Sequence, residues 1–149
     1  MKKRIGAAIL PIWTVIAMTP ACHECTQAGC ENGLTLHFAA ALSAPGQYRM
    51  NGTIDGQEFT CQATLPTLEM SCSSSEWRVE AYAISPGESP KIRGLHLQAN
   101  PANINITVER DGMNLGQATM DLAYETVRPN GDSCPPECHV VEKTLTLTP

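Results

Sequence analysis

Residues 48–65 read YRMNGTIDGQEFTCQATL, and this stretch decides the fold because apolar residues recur at alternate positions on both sides of a turn. Tyr48 and Met50 alternate with polar residues before the turn, and the same alternation resumes after it. A period of two is typical of a strand with one buried face. Asp55-Gly56 between the two runs is a strong β-hairpin signal, since both central positions of the favoured turn need positive φ.

A hairpin at this turn has a register that can be tested. Folding the chain at Asp55-Gly56 sets Met50 opposite Cys61 and Gly52 opposite Phe59, so that an aromatic ring covers a strand glycine. A slip of one residue would turn the apolar side chains to the solvent face. We therefore expect the two strands to pair in this register.

The same alternation recurs along the rest of the chain. It predicts further strands over residues 34–39, 76–84, 92–97, 103–109, 118–125 and 139–148. With a three-residue loop at 111–113, Ile106 faces Ala118. Eight or nine short strands with regular turn signals, and no helical stretch after residue 21, predict an all-β antiparallel β-sandwich of the immunoglobulin-like type. A small barrel is the structural alternative.

The first 21 residues have the layout of a secretory signal. A basic start at residues 2–4 is followed by a run without charge over residues 5–18. This run is shorter than the roughly 20 residues that a membrane-spanning helix needs, and Pro11 would kink such a helix. We therefore expect residues 1–21 to be a signal peptide, with a retained single-span anchor as the alternative.

Cleavage after Ala21 would leave Cys22 as the mature N-terminus. The sequence Thr19-Pro20-Ala21-Cys22 resembles the lipobox of bacterial lipoproteins, in which the cysteine that follows a small residue is acylated. Ordinary signal peptidase cleavage at the same bond is the alternative, because small residues there also suit that enzyme. On the first interpretation Cys22 carries a lipid, residues 22–32 form a tether, and residues 33–149 form the β-sandwich domain.

The cysteine count agrees with acylation. The seven cysteines are Cys22, Cys25, Cys30, Cys61, Cys72, Cys134 and Cys138. An odd number leaves one thiol over in an exported protein, and acylation of the first would leave six for three disulfides. Export also implies an oxidising compartment, in which disulfides persist.

Cys61 and Cys72 form the pair that the local sequence predicts. Pro66-Thr67 between them occupies a turn, and a symmetric fold-back about this turn sets the two cysteines opposite each other. The β-carbons of directly opposed residues in antiparallel strands are about 4.5–5.5 Å apart, which is close enough for a disulfide after modest adjustment.

The other four cysteines, Cys25, Cys30, Cys134 and Cys138, allow three pairings. They close locally, as Cys25–Cys30 and Cys134–Cys138, or they join the N-terminal segment to the loop before the last strand. In the chain-entropy account a loop of about 100 residues is worth about 4.7 kcal/mol, against about 2 kcal/mol for five or six residues. The long-range pairings are therefore the better stabilisers.

Metal binding is the alternative use of these four cysteines. Together with His23 and His139 they have spacings that could hold zinc, which would make the chain an exported zinc-binding or thiol-active protein. Behind a signal segment the same pattern favours disulfides, so we expect no metal and no cofactor. His37 and His96 fall on the outward side of their strands, where we expect solvated surface. Trp77 is expected in the core.

The charge of the mature chain and the absence of catalytic motifs limit its function. Without residues 2–4, seven basic residues remain against fifteen acidic ones, a net charge of −8. This disfavours nucleic-acid binding, which needs clustered Lys and Arg. The sequence has no nucleophile elbow, no metalloprotease helix motif and no phosphate-binding glycine loop. We therefore expect a structural or binding module without catalytic residues.

Two segments resemble small bacterial envelope lipoproteins of no established activity. They are Ala21-Cys22 together with Gly29-Cys30, and residues 124–131 together with the CPPEC run at 134–138. The resemblance implies fold and location only: an exported protein held at the membrane through its N-terminal lipid, where it could meet an envelope protein or ligand. A periplasmic or secreted protein is the alternative.

Overall fold

The structure is a computed structural model, and it describes residues 28–82 and 87–148. The signal peptide and the proposed lipid site therefore lie outside the described residues, as do His23 and Cys25. Within the described ranges the chain forms ten strands: β1 (Gly33–Leu42), β2 (Gly46–Ile54), β3 (Gln57–Leu65), β4 (Glu69–Cys72), β5 (Trp77–Tyr82), β6 (Lys91–Leu97), β7 (Asn103–Arg110), β8 (Met113–Asp121), β9 (Glu125–Val127) and β10 (Cys138–Leu145).

The strands form two five-stranded sheets that pack face to face as a β-sandwich. One sheet has the order β5-β6-β1-β10-β9, and the other has the order β4-β3-β2-β7-β8. The core lies between them and holds fully buried side chains from both sheets, among them Leu34, Leu36, Met50, Ile104 and Ile106. The predicted all-β class and the sandwich are therefore confirmed.

The β2–β3 hairpin has the predicted register. Met50 pairs with Cys61 and Gly52 pairs with Phe59, while the turn residues Asp55 and Gly56 both have positive φ. The ring of Phe59 stacks on the ring of Trp77, with 4.3 Å between the ring centroids. Trp77 is 4% exposed, which confirms that it belongs to the core.

The β7–β8 hairpin reaches the predicted register by a different route. Ile106 pairs with Ala118, as expected, but the turn has two residues because Arg110 pairs with Met113. A register shift between Val108 and Glu109 supplies the extra residue on β8. A β-bulge of this kind displaces the pairing as a longer loop would, so alternation in the sequence does not distinguish the two.

The prediction that all strands pair antiparallel is wrong at one place. β1 and β10 run parallel, with Gly33 opposite Val140. Both strands therefore begin at the same end of the sheet, and the first strand lies beside the last one and not beside its successor. Side-chain alternation reports which residues face the core, and it is the same in parallel and antiparallel pairs.

The prediction of one strand over 118–125 is also wrong. β8 ends at Asp121, and the Leu122 amide donates one more hydrogen bond, to the Ala102 carbonyl oxygen, in the register of the β7–β8 ladder. The chain then passes to the other sheet, where Glu125–Val127 forms β9 against β10. The connecting residues 122–124 keep the same alternation of more buried and more exposed side chains, so the sequence gives no sign of the break.

Candidate functional site

The sandwich has two ends that differ in chemistry. Since β1 and β10 begin side by side, the residues that precede them meet at one end, which we call the cysteine end (Cys30, Cys134 and Cys138). The connections 43–45, 66–68 and 111–112 lie at the other end, which we call the distal end. Segment 28–32, the last part of the predicted tether, thus enters the domain at the cysteine end.

A long-range disulfide joins the N-terminal segment to β10. Cys30 is bonded to Cys138 across 108 positions of sequence, with 6.1 Å between the two Cα atoms. This bond overturns the local closure of Cys25–Cys30 and Cys134–Cys138. Cys134 is disulfide-bonded as well. The Cys61–Cys72 disulfide is confirmed, with the two residues directly paired across β3 and β4.

Asn130 connects segment 28–32 to the loop that precedes β10. Its Nδ2 donates to the carbonyl oxygens of Ala28 and Pro135, at 3.0 and 2.6 Å. Its Oδ1 accepts a hydrogen bond of 3.1 Å from the Ala28 amide. The side chain thus satisfies backbone groups of both segments, in addition to the Cys30–Cys138 disulfide.

Replacing Asn130 by alanine is expected to lower the free energy of unfolding by about 1 kcal/mol, because the freed backbone groups can be solvated by water. Urea unfolding of the oxidised protein measures this change. The matched control is Asn114→Ala, which removes an exposed asparagine at the start of β8. Equal stability of the two variants would contradict a role for Asn130 in holding the two segments together.

An ion pair stiffens the same loop. Nε and Nη2 of Arg128 both donate to Glu137 Oε2, the first at 2.8 Å and the second at 2.6 Å. Hydrogen bonding to Glu137 and the negative charge of its carboxylate together raise the pKa of the Arg128 guanidinium. The loop from β9 to β10 is thereby closed by Arg128 near its start and Glu137 near its end.

His96 is buried, which corrects the prediction that it is solvated. It points outward from β6, but it is only 7% exposed. Its Nδ1 lies 3.1 Å from Thr35 Oγ1, and its Nε2 lies 3.8 Å from the Glu31 carboxylate, which Arg78 Nη2 also approaches at 3.4 Å. Segment 28–32 therefore lies against the outer face of this sheet, and alternation within β6 cannot reveal a cover that comes from elsewhere in the chain.

The histidines and cysteines do not assemble into a metal centre in the part of the chain that the structure describes. No group of three or more His, Cys, Asp or Glu side chains there has the arrangement that a metal ion needs. His139 is exposed, with its Nε2 3.7 Å from Glu137. Zinc binds thiolates, and the sulfur atoms of Cys30, Cys134 and Cys138 are held in disulfides.

A polar hollow of about 310 Å³ lies at the distal end, on the outer face of the β2–β3–β7 part of the sheet; we call it the distal hollow. Its polar side chains are Gln47, Arg49, Gln62, Thr64, Glu109 and Asp111. They face outward because their neighbours Tyr48 and Ala63 are buried in the core. This site was not predicted from the sequence, where its signal is the run of polar residues on the outward phase of three strands.

Comparison with known proteins found no matching family model, no matching curated protein and no matching solved structure. The described residues include no helix with the length and hydrophobicity that crossing a membrane requires.

Proposed function

We propose that the protein is exported, is anchored to a bacterial membrane by a lipid on Cys22, and acts as a binding or structural module without catalysis. The observation that carries this proposal is the Cys30–Cys138 disulfide, which fastens the segment following Cys22 to one end of the sandwich. A disulfide of this kind persists in an oxidising compartment outside the cytosol.

The position of this disulfide gives the proposed anchor a defined geometry. Eight residue steps separate Cys22 from Cys30, and an extended chain of that length spans at most roughly 30 Å. The cysteine end would therefore stay close to the membrane surface. The distal end would face away from it, where a partner or ligand can reach it.

The disulfides of the described residues support the cysteine count behind the proposal. Cys30, Cys61, Cys72 and Cys138 pair among themselves, and Cys134 is bonded too. We propose Cys25 as the partner of Cys134, which leaves Cys22 as the odd cysteine and the one available for acylation. The zinc-binding or thiol-active alternative would require the reduction of these bonds.

The immunoglobulin-like type is part of the proposal, as the finer description of the sandwich. It is supported by the way in which the chain passes between the sheets, at the β1–β2, β4–β5, β6–β7 and β8–β9 connections. Greek-key exchange of this kind is usual in such sandwiches. The distal connections would then be the loops that carry recognition.

Lipid anchoring is tested with the full chain expressed in a bacterium. We expect the wild-type protein in the membrane fraction, with an intact mass that starts at Cys22 and includes acyl chains. Cys22→Ala should abolish both the acyl mass and the incorporation of a labelled fatty acid. The matched control, Cys25→Ala, should keep both.

Two results would contradict the anchor. A mature chain that begins at Cys22 without acyl mass would identify a periplasmic or secreted protein. An uncut chain in the cytoplasm with reduced thiols would overturn export itself.

A further inference from the structure

The distal hollow contains two opposite charges that do not neutralise each other. Arg49 on β2 lies directly opposite Glu109 on β7. Opposite charges at such positions usually form a cross-strand pair that contributes about 0.2–1 kcal/mol. No ion pair joins Arg49 to Glu109 in this structure, or joins either of them to another of the described residues, whereas Arg78 and Arg128 both have carboxylate partners.

The other acid of the hollow is already engaged. Asp111 Oδ1 accepts a hydrogen bond of 2.9 Å from the Gln47 amide, which holds the turn after β7 against the start of β2. Glu109 has no such hydrogen bond or ion pair among the described residues, so it is the carboxylate of the hollow with both oxygens available to a ligand. Within the described ranges, Arg49 and Glu109 thus place one cation and one anion without ion-pair partners on neighbouring strands, at the spacing of directly opposed residues.

The size and lining of the hollow restrict what can occupy it. Its volume of about 310 Å³ is near the lower end of ligand sites, which range over roughly 300–1,000 Å³. Gln62 and Thr64 offer amide and hydroxyl groups for hydrogen bonds. Tyr48 is the one aromatic residue among the described residues that line the hollow; it is 2% exposed and donates its hydroxyl to the Ala44 carbonyl oxygen, so it offers no ring face for stacking a sugar.

We propose that the distal hollow binds a small zwitterion of the α-amino-acid class, up to the size of a dipeptide. The guanidinium of Arg49 binds the carboxylate of the ligand, as the planar guanidinium does in bidentate pairs. Glu109 accepts hydrogen bonds from the ammonium group, and Gln62 and Thr64 bind the peptide amide. The inference names a ligand for the binding module proposed above and therefore rests on that proposal.

The probe for this site is alanyl-alanine, and the measurement is the change in amide chemical shifts of the ¹⁵N-labelled protein. The full chain is expressed and recovered in the form that the cell produces. We expect saturable shifts at the backbone amides of Gln62, Thr64 and Gly112. N-acetyl-alanyl-alanine lacks the ammonium group and alanyl-alanine amide lacks the carboxylate, so each should bind at least about tenfold more weakly.

Two substitutions separate the charges. Arg49→Gln should weaken the binding of alanyl-alanine at least about tenfold. It should leave the affinity for alanyl-alanine amide nearly unchanged, because the amide probe has no carboxylate for the guanidinium to bind. Glu109→Gln should weaken the binding of alanyl-alanine by a similar factor. It should leave the affinity for N-acetyl-alanyl-alanine nearly unchanged, because this probe has no ammonium group for the carboxylate to bind. Arg93→Gln and Glu58→Gln are the matched controls, since each removes the same kind of charge outside the hollow, and both should bind like wild type.

The zwitterion site would be overturned if these amides showed no shift up to 20 mM alanyl-alanine, which is roughly the weakest binding that such a titration detects. Equal binding of all three probes would overturn it as well. So would equal binding of alanyl-alanine by Arg49→Gln and Arg93→Gln. Saturable binding of the neutral sugar maltose at the same amides with no response to alanyl-alanine would also overturn it. None of these results bears on the acyl mass of Cys22, so loss of the ligand and loss of the anchor are separate outcomes.

Discussion

Replacing Gly52 by alanine is expected to lower the free energy of unfolding by about 3 kcal/mol, because a methyl group does not fit at this point of the sheet. A Cβ built on Gly52 would overlap the Asn105 carbonyl oxygen and would lie 2.8 Å from the Asn105 carbonyl carbon. Both are backbone atoms, so no side-chain rotation can relieve the clash. β2 and β7 would have to separate at the centre of the sheet.

The environment of Gly52 makes such a separation costly. Phe59 lies opposite it on β3, and the Phe59 ring stacks on Trp77 of the other sheet. Moving β2 away from β7 would therefore disturb the contact between the two sheets, in addition to the hydrogen bonds of one ladder. Glycine within a strand often marks a close approach of this kind.

Urea unfolding of the oxidised protein, followed by circular dichroism, measures the effect. Thr53→Ala is the matched control, because it changes the next residue of the same strand and introduces no new atoms. We expect the control to lose less than about 1 kcal/mol. A loss below that level in Gly52→Ala would show that the two strands adjust easily, and it would contradict the tight approach at Asn105.

The sequence was sufficient for features that depend on neighbouring segments of the chain. Alternation and the Asp55-Gly56 turn fixed which residues of β2 and β3 face each other. The fold-back at Pro66-Thr67 in the same way identified Cys61–Cys72. In these cases a turn of known length joins the two partners, so the pairing follows from counting residues on either side of it.

Features that join distant segments could not be read in this way. The pairing of β1 with β10 and the cover that segment 28–32 places over His96 both depend on where strands far apart in sequence are placed. The distal hollow needs three strands at once, since β3 and β7 bring Gln62 and Glu109 to the two sides of Arg49. Alternation gives the direction of each side chain, but it does not give the neighbour that the side chain meets.

Removing two disulfides together is expected to cost more stability than the sum of their separate removals. Cys30–Cys138 closes a loop across 108 positions, and the proposed Cys25–Cys134 bridge would close a loop of nearly the same length. With one of them intact, the other closes only the short ring formed by residues 25–30 and 134–138. Either bridge alone therefore retains most of the constraint on the unfolded chain.

The chain-entropy account gives the size of this effect. A loop of about 100 residues is worth about 4.7 kcal/mol, and a ring of roughly ten residues is worth about 2.5 kcal/mol. We therefore expect Cys30→Ser/Cys138→Ser to lose about 2.5 kcal/mol and Cys25→Ser/Cys134→Ser to lose about the same. All four substitutions together should lose about 7 kcal/mol, a large part of the stability of a domain of this size.

A double-mutant cycle in urea, on oxidised protein with Cys22 unchanged, measures the coupling between the two bridges. Cys61→Ser/Cys72→Ser is the matched control, since its loop of 11 positions lies within the larger loops and shortens them only slightly, so its cost should nearly add to that of either bridge. If Cys30→Ser/Cys138→Ser alone loses about 5 kcal/mol, no second bridge spans the same loop. Cys134 would then have a different partner from Cys25, and the count that leaves Cys22 available for a lipid would no longer hold.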